Sequence, residues 1–86
     1  MTHLLEEPIS VMLAFNHETR SIMPRKLGWH GREYHVTKVG YHYKVKSGNT
    51  LYHIFTVCTE NTVFKLALNT DTLHWQLQQI YDESTT

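Results

Sequence analysis

A single cysteine, Cys58, excludes an internal disulfide, so the 86-residue chain must hold its fold by packing and backbone hydrogen bonding alone. That cysteine count fits a reducing compartment. No stretch approaches the ~20 consecutive apolar residues of a membrane span. There is also no basic N-terminal segment followed by an apolar run of about 7–15 residues, as a secretory leader would have. These absences give the expectation of a soluble cytoplasmic protein with no membrane partner. Net charge is absent too. Eight Lys and Arg balance eight Asp and Glu, with a pI near 7.1, which excludes long-range attraction to nucleic acid or anionic lipid and leaves only local patches. The length allows one core, burying about 60–70% of the surface that the unfolded chain exposes.

Aromatic and β-branched residues are plentiful, and no segment carries a clean i, i+3, i+4, i+7 apolar stripe. Helix content is therefore expected near nil. Residues Met1 to Glu7 are expected to fray before Pro8, and Ile9, Val11, Leu13 and Phe15 alternate as a first strand. Asn16 to Ser21 forms a loop, and Pro24 marks a strand start or an edge.

The stretch from Leu27 to Val39 reads as a hairpin closed by His30-Gly31, in which Gly31 supplies a positive φ. That turn pairs Trp29 with Arg32, Leu27 with Tyr34 and Arg25 with Val36. One face then gathers an indole, a phenol, aliphatic groups and a guanidinium. This face either closes a core edge, with the Arg32 stem packed on the Trp29 ring as a cation–π pair, or forms a stacking platform for a base or a peptide aromatic; the first is expected. After Val36 the alternation slips, which predicts a bulge or sharp bend near Thr37-Lys38, with Gly40 beside it, or a strand that continues with apolar residues on both faces. Lys44 to Thr50 is expected to be a solvated loop.

A second hairpin joins Leu51–Thr59 to Val63–Asn69 through Glu60-Asn61, opposing Val57 to Phe64, Phe55 to Leu66 and His53 to Leu68. Leu73 to Asp82 supplies a last strand with Trp75 and Leu77 inward and a second slip before Ile80. Ser84-Thr85-Thr86 is expected to be disordered. The fold expected is an all-β, small single-domain antiparallel meander of five or six strands over residues 8–82, as a curved sheet or partly open barrel with frayed termini.

The pattern Trp29-x-Gly31-Arg32-x-Tyr34-x-Val36, followed by Trp75-x-Leu77 and Ile80-Tyr81-Asp82, resembles a small bacterial domain family of unknown function. The likeness extends from about Pro8 to Asp82. In that family the domain stands alone or sits at the C-terminal end of Y-family DNA polymerases and their inactive relatives in mutagenic repair. The resemblance implies a cytosolic accessory role around DNA. It supplies no catalytic residue or cofactor.

The residues themselves point away from an enzyme. Seven histidines are scattered without ligand spacing, Cys58 has no neighbouring basic group or helix N-terminus in sequence, and the carboxylates form no defensible pair. No metal, cofactor or catalytic residue is expected. The readings that remain are an interaction or accessory module, with self-association among its partners, and weak single-stranded nucleic-acid binding. The second rests on six of the eight basic residues lying between Arg25 and Lys46, with Glu33 the only acid among them. The candidate surface comprises Arg25, Lys26, Trp29, Arg32, Lys38, Tyr41, Tyr43, Lys44 and Lys46, centred on the stretch from Lys38 to Lys46.

Overall fold

In the computed structural model, which describes residues 2–82, the His30-Gly31 turn joins strand β3 (Ser21–Trp29) to β4 (Arg32–His35). Both turn residues have positive φ, 51° and 74°, the two-residue turn that matches strand twist. Trp29 pairs with Arg32 and Leu27 with Tyr34, and the Val36 amide donates to the Arg25 carbonyl at 3.0 Å. Strand β2 (Ser10–Asn16) lies on the other side of β3 and completes a three-stranded antiparallel sheet. Pro24 sits inside β3 beside a bulge, where β3 pairs with β2 but has passed the end of β4. A missing amide is tolerated there as it is at an edge.

The remaining strands are β1 (Thr2–Pro8), β5 (Lys38–Ser47), β6 (Thr50–Cys58), β7 (Thr62–Asn69) and β8 (Trp75–Asp82). They form a second antiparallel sheet in the order β1-β8-β7-β6-β5. The chain is all-β, and neither sheet closes into a barrel. The eight strands among the described residues exceed the expected five or six for two reasons. The segment Thr2–Pro8, expected to fray, pairs with β8 from the far end of the chain, Thr2 opposite Tyr81 and Pro8 opposite Gln76. In addition, β4 and β5 are separate strands in different sheets. The expected fraying at Ser84-Thr85-Thr86 lies outside the described residues.

The slip expected near Thr37-Lys38 resolves into two events. At Val36-Thr37 the chain leaves the three-stranded sheet, and the Thr37 amide donates to the Cys58 carbonyl at 2.8 Å as it joins the other. Gly40 then bulges, since Val39 opposes Val57 while Tyr41 opposes Thr56. One extra residue places Val39 and Tyr41 on opposite faces, although their spacing of two would put them on the same one. The loop expected from Lys44 to Thr50 is replaced by strand on both sides of Gly48-Asn49. Ser47 opposes Thr50, and Gly48 takes a φ of 61° at the first turn position. Polar composition suggested a loop; cross-strand pairing with β6 overrides it.

The second hairpin keeps its expected register, and a bulge in β8 at Gln78 brings both Leu77 and Ile80 to the inner face. Ile9, Leu27, Phe55, Val57, Phe64, Leu66, Leu77 and Ile80 form the core, with Val11, Trp29, Tyr34, Val36, Val39 and Trp75 packed against it. Both sheets contribute, the three-stranded one through Leu27 with Val11, Ile22, Trp29 and Tyr34 around it, while Leu13, Phe15 and Met23 farther along β2 and β3 stay exposed. Phe64 meets Tyr34 edge-on at 5.0 Å and Trp29 at 6.3 Å between ring centres.

Leu73 closes the turn between β7 and β8 with a φ of 64° and a side chain 71% exposed. Its amide donates to the Asn69 carbonyl at 2.7 Å, so the conformation is fixed by the turn rather than by the side chain. Leu73→Gly is expected to stabilise the fold by about 0.5–1 kcal/mol, because relief of a left-handed conformation outweighs the added freedom of the unfolded chain. Urea denaturation of the variant beside the parent measures it.

Candidate interaction surface

The nine candidate residues fall into two groups on different sheets. Arg25, Lys26, Trp29 and Arg32 belong to the three-stranded sheet; Lys38, Tyr41, Tyr43, Lys44 and Lys46 all lie on β5. In the first group most of the chemistry is already engaged. Trp29 is half-buried, stacks on His30 at 4.0 Å, and donates its indole N–H to Glu7 Oε1 at 3.2 Å. The same oxygen lies 2.9 Å from His30 Nε2, so Glu7 of β1 clips the hairpin of one sheet to the edge strand of the other. Glu7 was not visible as a contact from sequence because its strand pairs only with the chain's far end.

The expected Trp29–Arg32 cation–π pair is replaced by Arg32 over Tyr34, 5.5 Å from the ring centre. The indole is occupied by His30, whereas Tyr34 stands two residues along the same strand face as Arg32. Lys26 pairs with Glu33 at 3.6 Å, and Arg25 is the exposed bulge residue. Beside β4 an open cavity of about 780 Å³ runs to the β6–β7 turn. Trp29, Tyr34, Phe64 and Ile80 form its apolar lining.

The second group is arranged differently. Strand β5 is an edge of the five-stranded sheet, and of its ten residues only Val39 is partly sheltered. Among the described residues no strand neighbours its outward backbone groups. Tyr41, Tyr43 and Val45 oppose Thr56, Ile54 and Tyr52 on the face turned away from the core. They are 71%, 44% and 41% exposed. On the alternate face lie His42, Lys44 and Lys46, opposite Phe55, His53 and Leu51. These basic residues point to the core side of the sheet yet remain exposed, so the three-stranded sheet does not cover them. From Tyr41 to Lys46 the interleaving of cations and aromatics seen along the sequence therefore separates in space, with Tyr41 and Tyr43 on one face and Lys44 and Lys46 on the other, while Lys38, before the bulge, lies on the tyrosine face.

His42 lies flat on Phe55 at 4.1 Å, and its Nε2 is 2.7 Å from His53 Nδ1. Partial burial holds the His42 pKa below its ordinary value of 6.5, and the nearby His53 and Lys44 add to the effect. The unfolded chain thus binds a proton on this imidazole at a pH where the folded chain does not. Stability contributed here is present above about 6.5 and declines as pH falls below it. The melting temperature is expected to fall between about pH 7.5 and pH 5, and to fall less in His42→Phe, which keeps the stacking and removes the proton site. Thermal unfolding followed by circular dichroism at the two pH values checks this.

Among the described residues no group of three or more His, Cys, Asp and Glu is placed to hold a metal ion, and no helix is long and apolar enough to cross a membrane. No protein-family model, curated protein or solved structure matches the chain.

Proposed function

We propose that the chain is a non-enzymatic interaction module that receives an extended segment of a partner protein along β5. The observation that carries this reading is the strand itself: ten residues long, at the edge of its sheet, and exposed at every position but Val39. An unpaired edge offers a ladder of donors and acceptors to an incoming strand, with side chains on both faces to read its sequence. The resemblance of the Trp29–Val36 and Trp75–Asp82 segments to domains found beside Y-family polymerases supports a setting in DNA repair.

Selection of random peptides on the immobilised chain, followed by titration of a selected peptide, tests the reading. N-methylation at alternate peptide positions is expected to abolish binding in one phase and spare it in the other, since only every second amide of an added strand faces β5. Binding indifferent to both phases contradicts edge addition.

A second reading is weak single-stranded nucleic-acid binding. What favours it is the presence of Lys38 and Lys65 on the same face as Tyr41 and Tyr43, a combination of phosphate contacts and stacking rings. A salt-sensitive increase in anisotropy of labelled oligo-dT supports it. No binding below about 100 μM removes it.

A further inference from the structure

We propose that the segment received by β5 is acidic and alternating: an extended strand with Asp or Glu at every second position and aliphatic or aromatic residues between them. This rests on the reading of β5 as the receiving edge and specifies what that edge selects.

The charge of the strand is of one sign. No Asp or Glu occurs between Glu33 and Glu60, a span that holds all of β5 and β6 and contains Lys38, Lys44 and Lys46. Among the described residues the ion pairs are Lys26–Glu33 and His30–Glu7, neither of which involves β5. Beyond the Gly40 bulge the charges are also sorted by face, with His42, Lys44 and Lys46 on one side and Tyr41, Tyr43 and Val45 on the other; Lys38, before the bulge, lies with the tyrosines at the far end of the strand. An added strand has the same period of two, so one set of its side chains lies against the basic row and the other against the apolar row. Carboxylates complement the first and apolar groups the second. A uniformly apolar strand would leave the lysines without partners, and a uniformly acidic one would set carboxylates against the tyrosine face.

A second copy of the chain fits poorly. Antiparallel pairing of β5 with itself brings Lys44 and Lys46 of both copies onto a common ribbon, where like charges repel. The opposite edge, β1, offers Glu6 and Glu7, but these are adjacent in sequence rather than alternate, and the Glu7 carboxylate already serves Trp29 and His30. Lysines that keep copies apart therefore become the attraction for an anionic strand.

The test uses the full chain and fluorescein-labelled heptapeptides: EVEYEVE, its block isomer EEEEVYV, and the charge-reversed KVKYKVK. EVEYEVE is expected to bind, with affinity falling as salt is raised from about 50 to about 500 mM. The block isomer is expected to bind about tenfold more weakly, since its register satisfies neither face along its length. The double variant Lys44→Glu, Lys46→Glu is expected to exchange EVEYEVE for KVKYKVK. The neutral Lys44→Gln, Lys46→Gln pair should lose the first without gaining the second. Both variants alter exposed side chains, and circular dichroism confirms that they are folded.

Equal binding of EVEYEVE and KVKYKVK overturns the acidic assignment. So does failure of EVEYEVE while a neutral selected peptide still occupies β5. In both cases the edge reading stands. If no peptide of any composition binds, the edge reading falls with it. Oligo-dT binding more tightly than EVEYEVE, with loss in the Lys44→Glu, Lys46→Glu variant, replaces the acidic strand with nucleic acid.

Discussion

Phe64→Ala is expected to cost about 3–5 kcal/mol of unfolding free energy, the range for deleting a buried aromatic ring that leaves a cavity. Phe64 is 1% exposed, stands between Val57 and Ile80 on the inner face of the five-stranded sheet, and touches Tyr34 and Trp29 of the other sheet edge-on. The ring thus serves both its own sheet and the contact between the two. Neighbouring rings are held by strands in different sheets, so the space it leaves cannot be filled without moving the sheets together. Native domains keep only about 5–15 kcal/mol of net stability, and an 86-residue chain without a disulfide belongs near the lower end. Urea denaturation should place the variant close to unfolding at 25 °C or beyond it. Phe15→Ala, at a site 66% exposed, should shift the same curve by no more than about 0.5 kcal/mol. Equal losses at the two phenylalanines would contradict the assignment of the core.

Thr56→Pro is expected to be comparably severe, by a different mechanism. Thr56 sits in β6 between Tyr41 of β5 and Lys65 of β7, so its amide has a strand on either side. Whichever way the N–H points, proline deletes a ladder bond and sets its ring against a neighbouring backbone. The cost is about 3 kcal/mol or more. Pro24 shows the permissive case in this same chain, inside β3 but past the end of β4 and beside a bulge. Thermal unfolding of Thr56→Pro beside Thr56→Ala separates the backbone effect from the loss of the side chain. A proline variant as stable as the alanine variant would contradict the placement of β6 as an interior strand.

What was legible in the sequence follows the range of the interactions involved. Both hairpins and their registers could be read because each is determined locally: a turn glycine at His30-Gly31, a polar turn at Glu60-Asn61, and alternation that agrees on both sides. The inner face built from Phe55, Val57, Phe64, Leu66 and Leu77 follows from the same logic, as does the slip in β8. Strand β1 escaped notice because its partner is β8, and the residues Thr2 to Pro8 carry little local pattern of their own. The length of β5 was concealed by Lys44, Lys46 and Ser47, whose polarity resembles a loop. In the structure it marks a strand with no cover on either face.

The candidate surface was legible in part. Concentration of basic and aromatic residues up to Lys46 is visible in the sequence, and the stretch from Lys38 to Lys46 does lie on one exposed element. From Tyr41 onward the sorting into a tyrosine face and a lysine face follows from alternation; what the sequence hides is the extra residue at Gly40, which turns the tyrosines away from the core and puts Lys38 with them, and the edge position of β5. Neither was determined by composition. Trp29 illustrates the opposite outcome. A tryptophan beside a turn and a guanidinium resembles a recognition motif, but in the fold its ring is divided among His30, Glu7 and Phe64.

The separation of faces also changes how the basic residues can act. Because Lys44 and Lys46 alternate with Tyr43 and Val45, a ligand that engages both of these rows must pass along the edge, whereas one lying flat on the tyrosine face meets only Lys38 and Lys65. An added strand does so by construction, and a base stacked on Tyr41 does not reach Lys44 on the same side.

The most direct measurement is amide hydrogen exchange on the full chain with and without saturating EVEYEVE. Slowed exchange is predicted at alternate amides of Lys38–Ser47, those directed away from β6, with little change elsewhere in the five-stranded sheet. Protection confined to the cavity between β4 and the β6–β7 turn, or no change along β5 at saturation, would contradict the account.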